Sequence, residues 1–312
     1  MPLDDESRRV LDQLAAIGGF DYVSMTPQEL RAAGVARRPA IPAETVQKIE
    51  DRAIPGPNGD IPVRIYTHSG AAPLGCLVWF HGGGWVLGDL EGVHALCAAI
   101  TNRAACVTVS VDYRLAPEHK FPVPFEDCYA VTAWVAAHAA ELNVDPRRIA
   151  VGGDSAGGNL AAAVCLAARD RGGPGICFQL LAYPVIDHRF DTPSYADNAE
   201  GYLLTKEMMV WFWDCYLRSA TDGKNPYASP LRAEDLGRLP RGMIMTAEYD
   251  PLRDEGAAFA NRLRDAGVEV TLRRYDGTIH GFLGMFPVLK AGQLGLHEAT
   301  LALREAFRLA VA

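Results

Sequence analysis

The sequence predicts an α/β protein with a mostly parallel central sheet flanked by helices. Over most of the 312 residues, short runs rich in β-branched and apolar residues alternate with stretches of helical length. These runs are apolar throughout rather than at every second position, which is typical of strands buried on both faces. Strands that alternate with helices in this way usually form a parallel sheet covered by helices.

The predicted elements follow this alternation along the chain. Runs with the character of buried strands lie at 76–80, 107–111, 148–151 and 243–246. Helices are expected at 126–140, 156–169 and 251–266, and the last of these leads through Gly267 into a further strand at 268–272. The pattern contains no internal repeat and no low-complexity segment.

Two segments depart from this alternation. The first, residues 1–45, carries an apolar helical stripe and, at 26–29, the spacing of a capping box with proline at the first helical position. The second, residues 186–220, includes an aromatic and methionine-rich run at 208–213 that is too apolar for an exposed loop. Both segments are expected to form a helical layer beside the sheet.

Composition and charge exclude several functional classes. The chain has 38 acidic and 30 basic side chains and a formal net charge of −8, so it lacks the basic surface that nucleic acid requires. Its seven cysteines include no CxxC pair, which argues against a zinc site and favours a reduced, cytoplasmic protein. The charged N-terminal residues and the absence of an 18-residue apolar run predict no leader peptide and no membrane span.

One serine lies in an unusual setting, Gly153-Asp154-Ser155-Ala156-Gly157. The predicted strand before it and the predicted helix after it place Ser155 on a sharp strand-to-helix turn. Side chains two positions before and after such a serine would clash with neighbouring elements, so glycine is needed at both. The turn exposes the hydroxyl at a helix N-terminus, where backbone amides favour developing negative charge. Ser155 is therefore the candidate nucleophile.

A glycine run, His81-Gly82-Gly83-Gly84-Trp85, directly follows the predicted strand at 76–80. Three residues without side chains let backbone amides turn toward a bound oxygen, as an oxyanion hole requires. The glycines do not have the spacing of the dinucleotide-binding GxGxxG motif, and no Gly-Lys-Ser/Thr follows as in a phosphate-binding loop. The run therefore predicts stabilisation of an oxyanion rather than nucleotide binding.

A serine nucleophile needs a base and an acid to orient that base. Asp250 comes just after a predicted strand, and His280 lies on a loop after the next strand, so both follow the serine in the order acid, then histidine. The carboxylates of Asp254, Asp276 and Glu248 are alternatives that spacing alone leaves open.

A near-match to a metal motif lies close to the C-terminus. His297-Glu298 begins the HExxH pattern of zinc hydrolases, but residue 301 is a leucine, so the second histidine ligand is missing. No metal and no cofactor are expected.

Together these motifs resemble those of the bacterial hormone-sensitive-lipase-like carboxylesterases (family IV) of the α/β-hydrolase superfamily. The resemblance covers nearly the whole chain and rests on HGGGW at 81–85, DYRLAPEHKFP at 112–122, GDSAGG at 153–158, DPLRDEG at 250–256 and HGF at 280–282, in the family's order. It implies an α/β-hydrolase catalytic domain formed by residues 46–185 and 221–312. Residues 1–45 and 186–220 would form a helical cap over the sheet.

The resemblance also implies roles for particular residues. The catalytic triad would be Ser155, Asp250 and His280. The oxyanion would be held by the backbone amides of Gly83, Gly84 and Ala156, with His81 as a positioning residue. Cap residues shape the substrate pocket in this family, and the candidates here are Met208, Met209, Phe212 and Trp213.

The implied activity is that of a serine carboxylesterase. It would hydrolyse short- to medium-chain acyl esters through an acyl-enzyme, and its substrate would be a small-molecule ester. An amidase or acyl-peptide hydrolase would use the same three residues, and no residue excludes it. A receptor-like ligand-binding protein is a further alternative, although such proteins of this fold have lost the histidine that this chain keeps at position 280. A homodimer is compatible with the sequence, but no pattern in it indicates one.

Overall fold

The computed structural model describes residues 2–18, 22, 24–71 and 73–310. In this part of the chain eight strands form one sheet in the order β1-β2-β4-β3-β5-β6-β7-β8. The strands are β1 (Lys48–Ile54), β2 (Ile61–Thr67), β3 (Leu74–Phe80), β4 (Val107–Val111), β5 (Val144–Asp154), β6 (Phe178–Ala182), β7 (Gly242–Tyr249) and β8 (Val270–Ile279). β2 is antiparallel to both of its neighbours, and the six strands from β4 to β8 in the sheet order are parallel. The predicted mostly parallel α/β sheet is confirmed.

Helices cover both faces of this sheet. They are α1 (Asp5–Ala16), α2 (Pro27–Ala36), α3 (His94–Ala104), α4 (Val123–Ala137), α5 (Ala156–Asp170), α6 (Pro193–Asp197), α7 (Lys206–Tyr216), α8 (Arg253–Asp265) and α9 (Lys290–Leu309). Helices α3 and α9 pack on one face, and α4, α5 and α8 pack on the other.

The central strand β3 shows why its sequence is apolar throughout. Successive side chains of a strand point to opposite faces of the sheet. Cys76, Val78 and Phe80 accordingly join the core beneath α4, α5 and α8, whereas Leu77 and Trp79 join the core beneath α3 and α9. Because both faces are covered, no position of this strand calls for a polar side chain.

The element bounds differ from the sequence-based prediction mainly at the ends. The strand predicted at 148–151 extends to Asp154, and the strand predicted at 268–272 begins at Val270 and continues to Ile279. The antiparallel pair β1 and β2 was not predicted, because its alternating exposed and buried positions give a weaker apolar signal than a central strand.

The two segments that departed from the α/β pattern are helical in their described parts. Segment 1–45 contains α1 and α2, and Thr26 and Glu29 form the reciprocal capping box that the spacing predicted. Segment 186–220 contains α6 and α7. Arg31 of α2 donates hydrogen bonds to the carbonyl oxygens of Val86, at 2.7 Å, and Ala116, at 2.7 Å, and so attaches the N-terminal helices to loops that follow β3 and β4.

None of the helices in the described ranges combines the length and the apolar composition needed to cross a membrane.

Candidate functional site

Four loops meet at one edge of the sheet. Ser155 follows β5, Asp250 follows β7, His280 follows β8, and the glycine run from Gly82 begins two residues after the end of β3. These four strands are parallel to one another, so their carboxyl ends lie on the same edge. Residues separated by as many as 125 positions are thereby brought into direct contact.

Ser155, His280 and Asp250 form a continuous chain of hydrogen bonds. The His280 Nδ1 lies 2.7 Å from Asp250 Oδ2, and its Nε2 lies 3.0 Å from Ser155 Oγ. Because an ionised carboxylate can only accept, Nδ1 carries the proton and the hydroxyl of Ser155 donates to Nε2. Asp250 is fully buried, while the side chains of Ser155 and His280 retain a little exposure. This tautomer leaves Nε2 as the base that faces the serine.

The backbone at Ser155 has the strained geometry that the glycine pattern predicted. Its φ is +56° and ψ is −119°, outside the regions that a residue with a side chain prefers. A Cβ on Gly153 would lie 2.5 Å from the Phe80 carbonyl oxygen, and one on Gly157 would lie 2.7 Å from the His81 carbonyl oxygen. Both glycines are therefore required by close packing of the turn against the end of β3 and the residue that follows it.

The structure distinguishes between the carboxylates that spacing left open. Asp250 also accepts a hydrogen bond from the Leu252 amide at 2.9 Å, which holds the carboxylate toward His280. The other candidates bind elsewhere: Asp254 accepts from the Ser194 amide, Glu248 from the Gly277 amide, and Asp276 from Arg274.

The glycine run forms a tight turn beside Ser155. Gly83 and Gly84 have φ values of +112° and +60°, which residues with side chains rarely adopt. The carbonyl oxygen of Gly83 accepts hydrogen bonds from the amides of Val86 and Leu87, at 3.1 Å and 2.8 Å. Within the described residues, the amides of Gly83, Gly84 and Ala156 donate to no protein acceptor. These three amides are thus available to an oxygen of a ligand.

Two ionisable side chains hold this turn. The His81 ring stacks on Tyr113 with ring centroids 4.4 Å apart, and its Nδ1 donates to the Gly82 carbonyl oxygen at 2.8 Å. Burial lowers the pKa of His81, which favours the neutral ring. On the other side of the turn, Asp154 accepts a hydrogen bond from the Gly82 amide at 3.1 Å. Burial raises the pKa of Asp154 to about 6, although that hydrogen bond opposes the shift.

The four pocket candidates on α7 occupy different environments. Met208 lines a cavity of about 1020 Å³ between α7 and the N-terminal helices, together with Trp211 and Tyr22. Phe212 lies so close to Gly84 that a Cβ there would overlap its ring, and its other side contacts Tyr22 with ring centroids 5.9 Å apart. Phe212 therefore lies between the glycine turn and the cavity.

The remaining two candidates lie in the core. Trp213 is fully buried and packs against Trp85, with ring centroids 4.6 Å apart, and Met209 is 1% exposed. Neither lines the cavity beside α7.

Sequence reasoning missed Tyr183, which contacts His280. Its ring meets the imidazole edge to face with centroids 4.7 Å apart, and its backbone φ is +36°. Tyr183 directly follows β6, so it lies at the same sheet edge as the other site residues. The available signal was its place directly after the short run 178–182, but the sequence analysis did not predict this run as a strand.

A metal site is not apparent in the ranges that the structure describes. Within them, no group of three or more His, Cys, Asp or Glu side chains is arranged to hold an ion.

Comparison with known proteins gives consistent matches over most of the chain. A family model described as the alpha/beta hydrolase fold matches residues 77–284. The carboxylic ester hydrolase LipN of Mycobacterium tuberculosis is 46% identical over 262 residues, which cover 82% of this chain and 70% of LipN. The arylesterase of Saccharolobus solfataricus is 38% identical over 286 residues, which cover 91% of this chain and 93% of the arylesterase. The crystal structure of a thermostable esterase from Pseudomonas putida superposes with a TM-score of 0.94 at 37% identity, covering 98% of each chain.

Proposed function

The chain belongs to the hormone-sensitive-lipase-like carboxylesterases of the α/β-hydrolase fold, and we propose that it hydrolyses short- to medium-chain acyl esters with Ser155, His280 and Asp250 as its catalytic triad. The observation that carries this proposal is the pair of hydrogen bonds that His280 makes, to Ser155 at 3.0 Å and to Asp250 at 2.7 Å. Such an arrangement allows a hydroxyl to lose its proton as it attacks a carbonyl carbon.

In the acylation step, Ser155 Oγ attacks the ester carbonyl while its proton moves to His280 Nε2. The imidazolium that forms is stabilised by Asp250, which keeps its charge and its hydrogen bond to Nδ1. His280 then gives the proton to the departing alkoxide as the tetrahedral intermediate collapses, so the alcohol leaves and an acyl-serine remains. In deacylation a water molecule attacks the acyl carbon while His280 Nε2 accepts its proton. The bond from the acyl carbon to Ser155 Oγ then breaks as His280 returns the proton to Oγ, and the carboxylic acid is released.

The amides of Gly83, Gly84 and Ala156 hold the negative oxygen of both tetrahedral intermediates. They are unpaired with protein acceptors in the described chain. Ala156 begins α5, so the positive end of that helix dipole adds to the field at the oxygen. Donors that are already oriented before the charge develops need little reorganisation, which is why such sites contribute strongly to the rate.

The helices of residues 1–45 and 186–220 act as a cap that limits the acyl chain. Phe212 supports this role because it packs on the glycine turn on one side and on Tyr22 of the N-terminal segment on the other. With Phe212 in this position, the space around the serine is separated from the cavity beside α7, and short acyl groups are accommodated more readily than long ones.

The proposal is tested with p-nitrophenyl esters from acetyl to palmitoyl, and with p-nitroanilides as amide counterparts. We expect turnover to be fastest for short and middle chains, and Ser155→Ala to lower kcat by several powers of ten while the protein stays folded by circular dichroism. Ser110→Ala is a matched control, because it removes a buried serine hydroxyl on β4, away from the site. Wild-type turnover in Ser155→Ala would contradict the proposal, and faster cleavage of anilides than of esters would instead indicate an amidase.

A further inference from the structure

One carboxylate outside the triad connects the nucleophile to the glycine turn. Asp154 is the last residue of β5 and directly precedes Ser155. Its Oδ1 accepts the hydrogen bond from the Gly82 amide at 3.1 Å. Its Oδ2 lies so close to the Cα of Gly82 that a Cβ there would overlap it. The carboxylate therefore both bonds to the turn and packs against its backbone.

Gly82 is held at both of its backbone polar groups. Asp154 accepts from its N–H, and the Nδ1 of His81 donates to its carbonyl oxygen at 2.8 Å. The carbonyl of Gly82 and the amide of Gly83 belong to one planar peptide unit, so an orientation imposed on the first is imposed on the second. The His81 bond therefore orients the Gly83 amide directly, and the Asp154 bond anchors the preceding peptide unit, which meets this one at the Cα of Gly82.

This restraint matters because the glycines of the turn have no side chains to hold them. Three successive glycines have no side chains to pack, and glycine has more backbone freedom than any other residue. The amide of Gly83 donates to no acceptor within the described residues, so no hydrogen bond of its own holds it. The Gly84 amide differs, because it shares a peptide unit with the Gly83 carbonyl, which accepts from Val86 and Leu87. An oxyanion hole loses much of its effect when its donors move away from the position where the charge develops.

We propose that Asp154 is a positioning residue, which holds the amide of Gly83 in register with Ser155 through its hydrogen bond to Gly82. Because Asp154 and Ser155 are adjacent, the bond ties the turn to the nucleophile's own backbone rather than to a more distant part of the fold. The inference rests on the proposed function, since it assigns a role only if an oxyanion forms at Ser155.

The test compares Asp154→Ala, Asp154→Asn and the wild type with p-nitrophenyl butyrate at neutral pH. Alanine removes the acceptor, so kcat is expected to fall about 10- to 100-fold, whereas KM changes less than about threefold because ground-state binding is untouched. Asparagine keeps an oxygen that can accept from Gly82, so it is expected to restore kcat to within about threefold of the wild type. Affinity for a trifluoromethyl ketone, which forms an oxyanion at the serine, is expected to fall in parallel with kcat/KM in the alanine variant.

A matched control lies on the same strand. Asp145, near the start of β5, accepts a hydrogen bond from the Arg147 amide at 3.0 Å, far from the site. Asp145→Ala removes the same kind of bond and is expected to leave kcat unchanged. If Asp154→Ala does not fold, Asp154→Val serves in its place, because a valine side chain has no hydrogen-bond acceptor. Rates are expressed per reactive serine, counted with a fluorescent phosphonate.

The outcomes separate this inference from the proposed function. A wild-type kcat in Asp154→Ala, with Ser155→Ala inactive, would overturn the positioning role and leave the triad standing. An Asp154→Asn enzyme as slow as Asp154→Ala would also overturn it, because the charge and not the hydrogen bond would then be required. Activity retained in Ser155→Ala would reject the proposed function itself.

Discussion

Replacement of Asp154 by asparagine is expected to make the protein more stable relative to the wild type as the pH rises from acid to neutral. Burial raises the pKa of this carboxyl from 3.8 to about 6. Between these two values the folded protein keeps a proton that the unfolded chain has released. The contribution of Asp154 to the free energy of unfolding therefore falls as the pH rises through this window, and it levels off above the folded-state pKa.

The size of the effect follows from the shift. One pKa unit corresponds to about 1.4 kcal/mol. A rise from about pH 4.5 to the folded-state pKa would therefore lower the contribution of Asp154 to the free energy of unfolding by about 2 kcal/mol. Asp154 is only partly buried, and solvent screening reduces the expected cost to about 1–2 kcal/mol. Asparagine does not titrate, so the free energy of unfolding of Asp154→Asn relative to that of the wild type is expected to rise by that amount between about pH 4.5 and about pH 7.5.

Urea unfolding of both proteins at a series of pH values measures this difference, and the titrations common to both cancel. Asp145→Asn is the control of opposite sign. Hydrogen bonds from Arg147 lower the pKa of Asp145, so this carboxylate stabilises the fold above its unfolded pKa, and the variant is expected to lose stability relative to the wild type as the pH rises. Parallel pH curves for Asp154→Asn and the wild type would refute the reasoning.

Two further substitutions test the packing of the site. Gly157→Ala places a Cβ 2.7 Å from the His81 carbonyl oxygen. It is expected to lower the free energy of unfolding by about 2–3 kcal/mol in urea titrations. Gly284→Ala is the comparison, because a Cβ there makes only an ordinary van der Waals contact. Phe212→Ala is expected to raise the ratio of kcat/KM for a decanoyl ester to that for a butyryl ester about tenfold, by joining the serine to the cavity beside α7. Val210 lines that cavity, and Val210→Ala is expected to leave the ratio unchanged. An unchanged ratio in Phe212→Ala would contradict the proposal that Phe212 separates the serine from the cavity.

The turn that carries Ser155 could be predicted in detail because its constraints are local. Only glycine fits at positions 153 and 157, where the turn approaches the backbone around the end of β3, and this requirement is visible in five consecutive letters of the sequence. The glycine run after β3 could be interpreted for the same reason. Asp250 and His280 could then be selected by their order after the serine and by their places after predicted strands, since residues after parallel strands meet at one edge.

Contacts between distant residues were decided by the tertiary structure alone. Spacing left several carboxylates near Asp250 open, and the direction of each side chain separated them. Likewise, Phe212 and Trp213 are adjacent in a helix, yet one packs on the glycine turn and the other on Trp85 in the core. Successive residues of a helix point about 100° apart, so which of them faces the site depends on how α7 is placed against the sheet. That placement results from the packing of the whole chain, whereas a glycine requirement is set by its immediate neighbours.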